Sequence, residues 1–101
     1  MRGIPELARI FRALGHPLRI HIIQLLSQAP LTYTQLARLC FQDTYAFDTG
    51  KFNYHLRYLR DARLIRNVKR AGKYVYELTS LGRKIAKIII KKIAKIIIKF
   101  A

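Results

Sequence analysis

The 101-residue sequence predicts a mainly α fold with one small β-hairpin. Three observations predict it. Apolar residues recur at helical spacing through the first sixty positions. Two short alternating segments flank a glycine turn near residue 71. The last twenty residues form one amphipathic repeat. Hydrophobic residues make up 51% of the chain, enough for a single core and too many for low-complexity disorder. One core of this size leaves no room for a multidomain enzyme.

Leu7, Ile10, Phe11 and Leu14 sit at i, i+3, i+4, i+7 and define the apolar face of a first helix. Pro5 and Glu6 suit its first turn and Gly15 its stop. Pro17 opens a second helix with Leu18, Ile22, Ile23, Leu25 and Leu26 on a broad apolar side. Leu31-Thr32-Tyr33 alternates and reads as a small strand. Thr34 is expected to cap a third helix carrying Leu36, Ala37, Leu39 and Cys40. Phe41 to Thr49 reads as loop. A fourth helix starts near Asp48 or Thr49, with Phe52, Leu56 and Leu59 along one side. Ile65–Lys69 and Tyr74–Leu78 alternate around Arg70-Ala71-Gly72-Lys73, which predicts a hairpin. Thr79 or Ser80 then caps a last helix. Three helices followed by a two-stranded hairpin is the winged helix-turn-helix pattern. Residues 1–79 are expected to form that domain and residues 80–101 an added C-terminal amphipathic helix.

Charge adds a direction. Lys and Arg number 20 against five acids, a formal net charge of +15. Residues 1–50 hold five basic and three acidic side chains, residues 51–101 fifteen and two. An anionic partner is therefore expected at the second half, with nucleic acid and anionic membrane as candidates. No apolar run reaches the roughly 18 residues a membrane span needs. No signal-like segment opens the sequence, so a cytoplasmic, nucleoid-associated protein is expected. A single cysteine, Cys40, excludes an internal disulfide framework.

Several segments resemble the ArsR-type winged-helix regulators, particularly archaeal members. Ala13-Leu14-Gly15-His16-Pro17-Leu18-Arg19-Ile20 resembles that family's opening motif, in which His-Pro starts the second helix. Pro30 to Ala37 resembles its short strand and third helix. Gly50 to Leu59 is similar to its recognition helix, with the closing His55-Leu56-x-x-Leu59. Tyr74 to Thr79 resembles the returning wing strand. The resemblance spans about residues 7–83. It implies sequence-specific binding of double-stranded DNA by a homodimer. It places recognition-helix contacts on Gly50, Lys51, Asn53, Tyr54 and Arg57, and wing contacts on Arg70, Gly72 and Lys73.

Three departures stand out. About five extra residues near Gln42 to Ala46 lengthen the turn between the motif helices. Arg63 stands where the family usually has glycine, so the turn after the recognition helix is expected to differ. The metal-sensing members use paired cysteines or His/Asp clusters, whereas this chain has one Cys.

The chemistry of these side chains fits the implied roles. Asn53 can pair bidentately with adenine, and Lys51 or Arg57 with guanine. Tyr54 can stack on sugar or meet a thymine methyl. Arg60, Arg63, Arg66, Lys69, Arg70 and Lys73 can anchor phosphate. The blander reading of each is a solvated helix face or a basic surface. Phe52, His55, Leu56 and Leu59 read as core, with His55 a packing residue whose nitrogen is satisfied. His16 reads as a helix start, His21 has no ligand at helical spacing, and Cys40 reads as a small buried hydrophobe. A zinc site needs about four ligands, and none is expected. No phosphate-cradling glycine motif or catalytic carboxylate pair exists, so no enzyme activity, cofactor or small-molecule substrate is expected.

Residues 84–91 read Lys-Ile-Ala-Lys-Ile-Ile-Ile-Lys, and residues 92–99 repeat this unchanged. At about 100° per residue the six lysines fall within an arc of roughly 140°. Ile85, Ala86, Ile89, Ile93, Ile96, Ile97 and Phe100 occupy most of the other side. A stripe this wide needs a cover. The favoured cover is a second copy, with Leu7, Ile85, Ile89, Ile93, Ile96, Ile97 and Phe100 at the dimer contact, against an anionic membrane surface, an aggregation-prone Ile-rich strand, or partial packing on the chain's own first helix. Two alternatives compete with the regulator reading. One is a sequence-tolerant nucleic-acid or chromatin coat. The other is a membrane-surface protein acting through the Lys/Ile helix.

Overall fold

The computed structural model describes residues 3–42 and 48–100. Apart from Gln42, the lengthened turn expected near Gln42–Ala46 lies outside them. The described chain runs α1 (Ile4–Leu14), α2 (Pro17–Leu26), α3 (Tyr33–Cys40), α4 (Thr49–Asp61), β1 (Ile65–Arg70), β2 (Lys73–Leu78) and α5 (Ser80–Lys87). A π-helical segment (Ile88–Ile93) and α6 (Ala94–Phe100) follow. This is the predicted class, helices around one antiparallel hairpin.

Local chemistry sets most of the boundaries. His16 caps α2, its Nδ1 accepting the Leu18 amide at 3.1 Å, while Pro17 has no N–H to leave unsatisfied. Thr32, not Thr34, caps α3. Its hydroxyl accepts the Gln35 amide, and the Gln35 side chain accepts the Thr32 amide. Placing the reciprocal box at Thr32 starts the helix at Tyr33 and removes the expected strand. Only Leu31 pairs, in a two-bond bridge with Tyr76. Asp48 caps α4 by accepting the Lys51 amide at 3.1 Å. Thr79 caps α5 through the Gly82 amide at 3.0 Å.

The hairpin is tighter than expected. Arg70 and Lys73 are the last paired residues, and Ala71-Gly72 alone make the turn. Both have positive φ, 51° and 81°, as a right-twisted two-residue hairpin requires. Arg63 is also left-handed, at φ 62°. The expectation that this turn would depart from its glycine-bearing form is therefore corrected. The conformation is held from outside, because the Thr79 hydroxyl donates to the Arg63 carbonyl at 2.6 Å. That bond ties the turn to the cap of α5.

Ile22, Ile23, Leu36, Phe52, Leu59, Leu64 and Ile65 are fully buried and bring α2, α3, α4 and the hairpin base together. Tyr33 and Phe41 meet the Phe52 ring edge-on at 5.3 and 5.4 Å. Gly82 lets α5 close on this core. A Cβ there would collide with the Leu64 carbonyl. The last helix predicted from the repeat runs without a break from Ser80 to Phe100, with a π-helical segment at Ile88–Ile93 in its middle. No described helix is long and apolar enough to cross a membrane.

Candidate nucleic-acid interface

Helix α4 is seated by Phe52, Leu56 and Leu59, each at most 3% exposed. Their spacing at i, i+4, i+7 leaves the opposite face outward. Gly50, Lys51, Asn53, Tyr54, Arg57 and Arg60 all lie on the exposed side. Five of them, Gly50, Asn53, Tyr54, Arg57 and Arg60, converge on one groove of about 330 Å³ against Tyr76 of β2, with Leu56 at its floor. Lys51 is exposed at the start of α4, outside that groove.

The wing residues divide between two faces. Strand side chains alternate, and the pairing places Ile65, Asn67, Lys69, Tyr74, Tyr76 and Leu78 on one face. Tyr76 carries that face toward α4. Arg66, Arg70, Lys73 and Glu77 lie on the other. Arg70 and Lys73 flank the tip, but the Arg70 guanidinium is turned back onto Glu77. Its Nε donates to Oε1 at 3.0 Å, and Arg66 donates to Oε2 at 2.8 Å. The two guanidiniums, Arg70 first, hold the Glu77 carboxyl down to about 2. Lys69 and Tyr74, absent from the motif-based wing contacts, stand on the groove-side face with the Lys69 ammonium 5.8 Å from the Tyr74 ring. Lys69 was among the expected phosphate anchors, and alternation counted outward from buried Ile65 and Leu78 was the signal that could have found Tyr74.

Arg19 was missed altogether. It is 7% exposed, a buried cation on α2. Its Nε donates to His55 Nδ1 at 3.0 Å and its Nη1 to the Arg12 carbonyl at 3.0 Å, in the last turn of α1. Its guanidinium lies 3.9 Å over the Tyr58 ring and 5.7 Å from Tyr54. The negative end of α1 and two aromatic faces thus compensate the charge without a carboxylate. Arg19 thereby fixes the side of α4 that carries Tyr54. His55 is a packing residue with a satisfied nitrogen, as expected. Burial, then His16 (ring centroids 4.3 Å apart), then Arg19 lower its pKa. The helical spacing of Arg19 among Leu18, Ile22 and Ile23 hinted at burial, but no nearby acid pointed to a partner.

Cys40 is half-buried, and burial pushes its thiol up to about 11, which leaves it an unreactive packing group. Among the described residues no three His, Cys, Asp or Glu side chains converge. On the residues expected at a dimer contact, Leu7 is 48% exposed and Phe100 81%, whereas Ile85 and Ile89 are half-buried against their own domain.

Helices α2 to α4, with α4 facing outward, and the two-stranded hairpin define the winged helix-turn-helix fold. The same fold is seen in HlyU from Vibrio cholerae, 19% identical, with a TM-score of 0.70 over 87% of this chain and 91% of that one. It is also seen in Mb0332 from Mycobacterium bovis, described as a homodimeric DNA-binding domain and a possible ArsR-family transcriptional regulator. That domain is 16% identical, with a TM-score of 0.75 over 100% of this chain and 96% of that one. The transcriptional repressor BigR from Xylella fastidiosa, 18% identical, gives 0.63 over 86% and 87%. By sequence the chain belongs to the family described as Domain of unknown function (DUF7347), whose model matches residues 7–89. No curated protein matches it.

Proposed function

We propose that this chain is a homodimeric transcription regulator that binds double-stranded DNA sequence-specifically. In this reading α4 enters the major groove and the wing rests on flanking phosphate. The observation that carries it is the convergence of Asn53, Tyr54, Arg57 and Arg60 on one open groove beside Tyr76. Asn53 supplies paired donor and acceptor, Arg57 a planar fork, and Arg60 a cation at the rim. The fold similarity to HlyU, Mb0332 and BigR supports the class. The exposed apolar residues of α1 and α6 (Ile4, Leu7, Phe11, Ile96, Ile97, Phe100) support a second copy as their cover. Two recognition helices would then read half-sites about one helical turn apart.

Selection from random duplex DNA, followed by competition at physiological salt, tests this reading. Enrichment of a pseudo-palindrome that outcompetes unrelated duplex is expected. Equal competition by any duplex would instead favour a sequence-tolerant coat. Asn53→Ala should relax preference at one base pair by about 1–3 kcal/mol if the amide reads a base. Uniform weakening on all sequences would assign it to positioning. Sedimentation with anionic vesicles, with and without residues 82–101, measures the membrane alternative.

A further inference from the structure

A second groove, of about 410 Å³, lies between the end of α2, the last residues of β2 and the last helix. Its apolar surface comes from Leu26 at the end of α2, from Ala29 and Pro30 beyond it, and from Leu78, Ala86 and Ile90. Along one wall stand Arg83, Lys87 and Lys91, spaced i, i+4, i+8 on the last helix. The acid in the lining, Glu77, is already held by two guanidiniums, so it offers an anion little repulsion. Arg83 is anchored by donating to the Leu78 carbonyl at 3.2 Å. Ile90 and Lys91 come from the π-helical segment, a widening frequent at functional sites.

We infer that this groove is a binding site for a small soluble carboxylic acid with an apolar body, its tail on Leu26, Pro30 and Ile90 and its carboxylate on Lys87 and Lys91. The volume lies within the range of small-molecule sites. Charge complementarity selects the occupant. A neutral apolar molecule would leave three cations unused, and a polar anion would gain nothing from the six apolar residues. The groove is separate from the α6 stripe expected to cover a second copy, whose residues Ile96, Ile97 and Phe100 do not line it. The inference does not depend on DNA binding.

The test uses decanoate and 1-decanol, at concentrations where neither aggregates, titrated into the full chain and followed by amide chemical shifts. Saturable decanoate shifts at Leu26, Leu78, Ala86 and Ile90 are expected, with decanol at least tenfold weaker. Lys87→Gln with Lys91→Gln should weaken decanoate about tenfold and leave decanol unchanged. Ala29→Trp, which fills the groove from an exposed position, should abolish both. If Ala29→Trp does not fold, the lysine variants and the shift map still decide. Equal affinity for acid and alcohol, shifts confined to α1 and α6, or no saturation would overturn the site. Decanoate binding with no duplex preference would sink the regulator reading alone, and the reverse result this one alone.

Discussion

Residues 84–91 and 92–99 are the same eight amino acids in two environments. In the first copy Ala86 is 3% exposed and Ile85 and Ile89 are half-buried. Their counterparts Ile93 and Ile97 are 44% and 61% exposed, and Ala94 is half-buried. Ile90 is 40% exposed, but its counterpart Ile98 is 76% exposed. The backbone differs too. Ile88–Ile90 lie in the π-helical turn and Ile96–Ile98 in α6. Identical sequence cannot produce that difference, so the branched isoleucines are not by themselves its cause. What differs is a neighbour. The first copy leans on α2 and β2, and the second extends beyond them.

The comparison can be broken most sharply at its equivalent alanines. Ala86→Glu forces volume and charge into a closed site and should cost about 4 kcal/mol of unfolding free energy. Ala94→Glu should cost less than about 1 kcal/mol, because its carboxylate can reach water. Urea unfolding of both variants measures the gap. Equal losses would mean that the second copy is as well packed as the first.

Gly82→Ala tests what brings the first copy so close. Its Cβ would meet the Leu64 carbonyl, which is backbone and cannot swing aside. A loss of about 3 kcal/mol is expected, as for overpacking at a rigid contact. If α5 instead shifts outward at little cost, the Ile85 methyl resonances will move toward solvent-exposed values. The close approach would then be incidental.

The legibility of the sequence follows the same division. Wherever a side chain meets its own neighbours, pattern was enough. Phe52, Leu56 and Leu59 are buried at their predicted spacing, and His16, Thr79 and the glycine turn do what their types suggest. The α3 cap is ambiguous in sequence because two threonines compete two residues apart, and only the Gln35 reciprocal bond decides for Thr32. The groove residues of α4 were legible from helical period and motif. Arg19 was not, because its partners are a carbonyl of α1 and a ring nitrogen and a tyrosine face of α4, none of them an acid. The π-helical turn had little local signal, since its Ile88-Ile89-Ile90-Lys91 recurs as Ile96-Ile97-Ile98-Lys99 in α6.

Arg63 shows how far tertiary contact can hold a locally unfavourable shape. Its left-handed backbone costs about 1 kcal/mol relative to glycine. The Thr79 hydroxyl bond and the start of α5 keep it there. Arg63→Gly should therefore stabilise the fold by about 1 kcal/mol, less the extra entropy glycine gives the unfolded chain. Unchanged or lower stability in urea would mean that the arginine side chain contributes packing that offsets the backbone strain.

The smallest effect expected lies in the wing, where acid provides a probe that spares both copies. Neither copy contains a carboxyl group, whereas Glu77 is held at about 2 against an ordinary 4.5, through hydrogen bonds from Arg70 and then Arg66. Between these values the unfolded chain takes up a proton that the folded one refuses, so stability falls as pH drops from about 4.5 toward 2. Glu77→Gln cannot take up that proton. Its urea midpoint should start below the wild type at pH 5 and converge with it by pH 2. Because the two arginine side chains are 47% and 60% exposed, solvent and salt weaken the pair, and 0.5 M sodium chloride should narrow the pH 5 difference. Parallel profiles would show that the Glu77 clamp positions the wing arginines without stabilising the fold, which leaves the buried contacts of Ala86 and Gly82 to hold hairpin and last helix together.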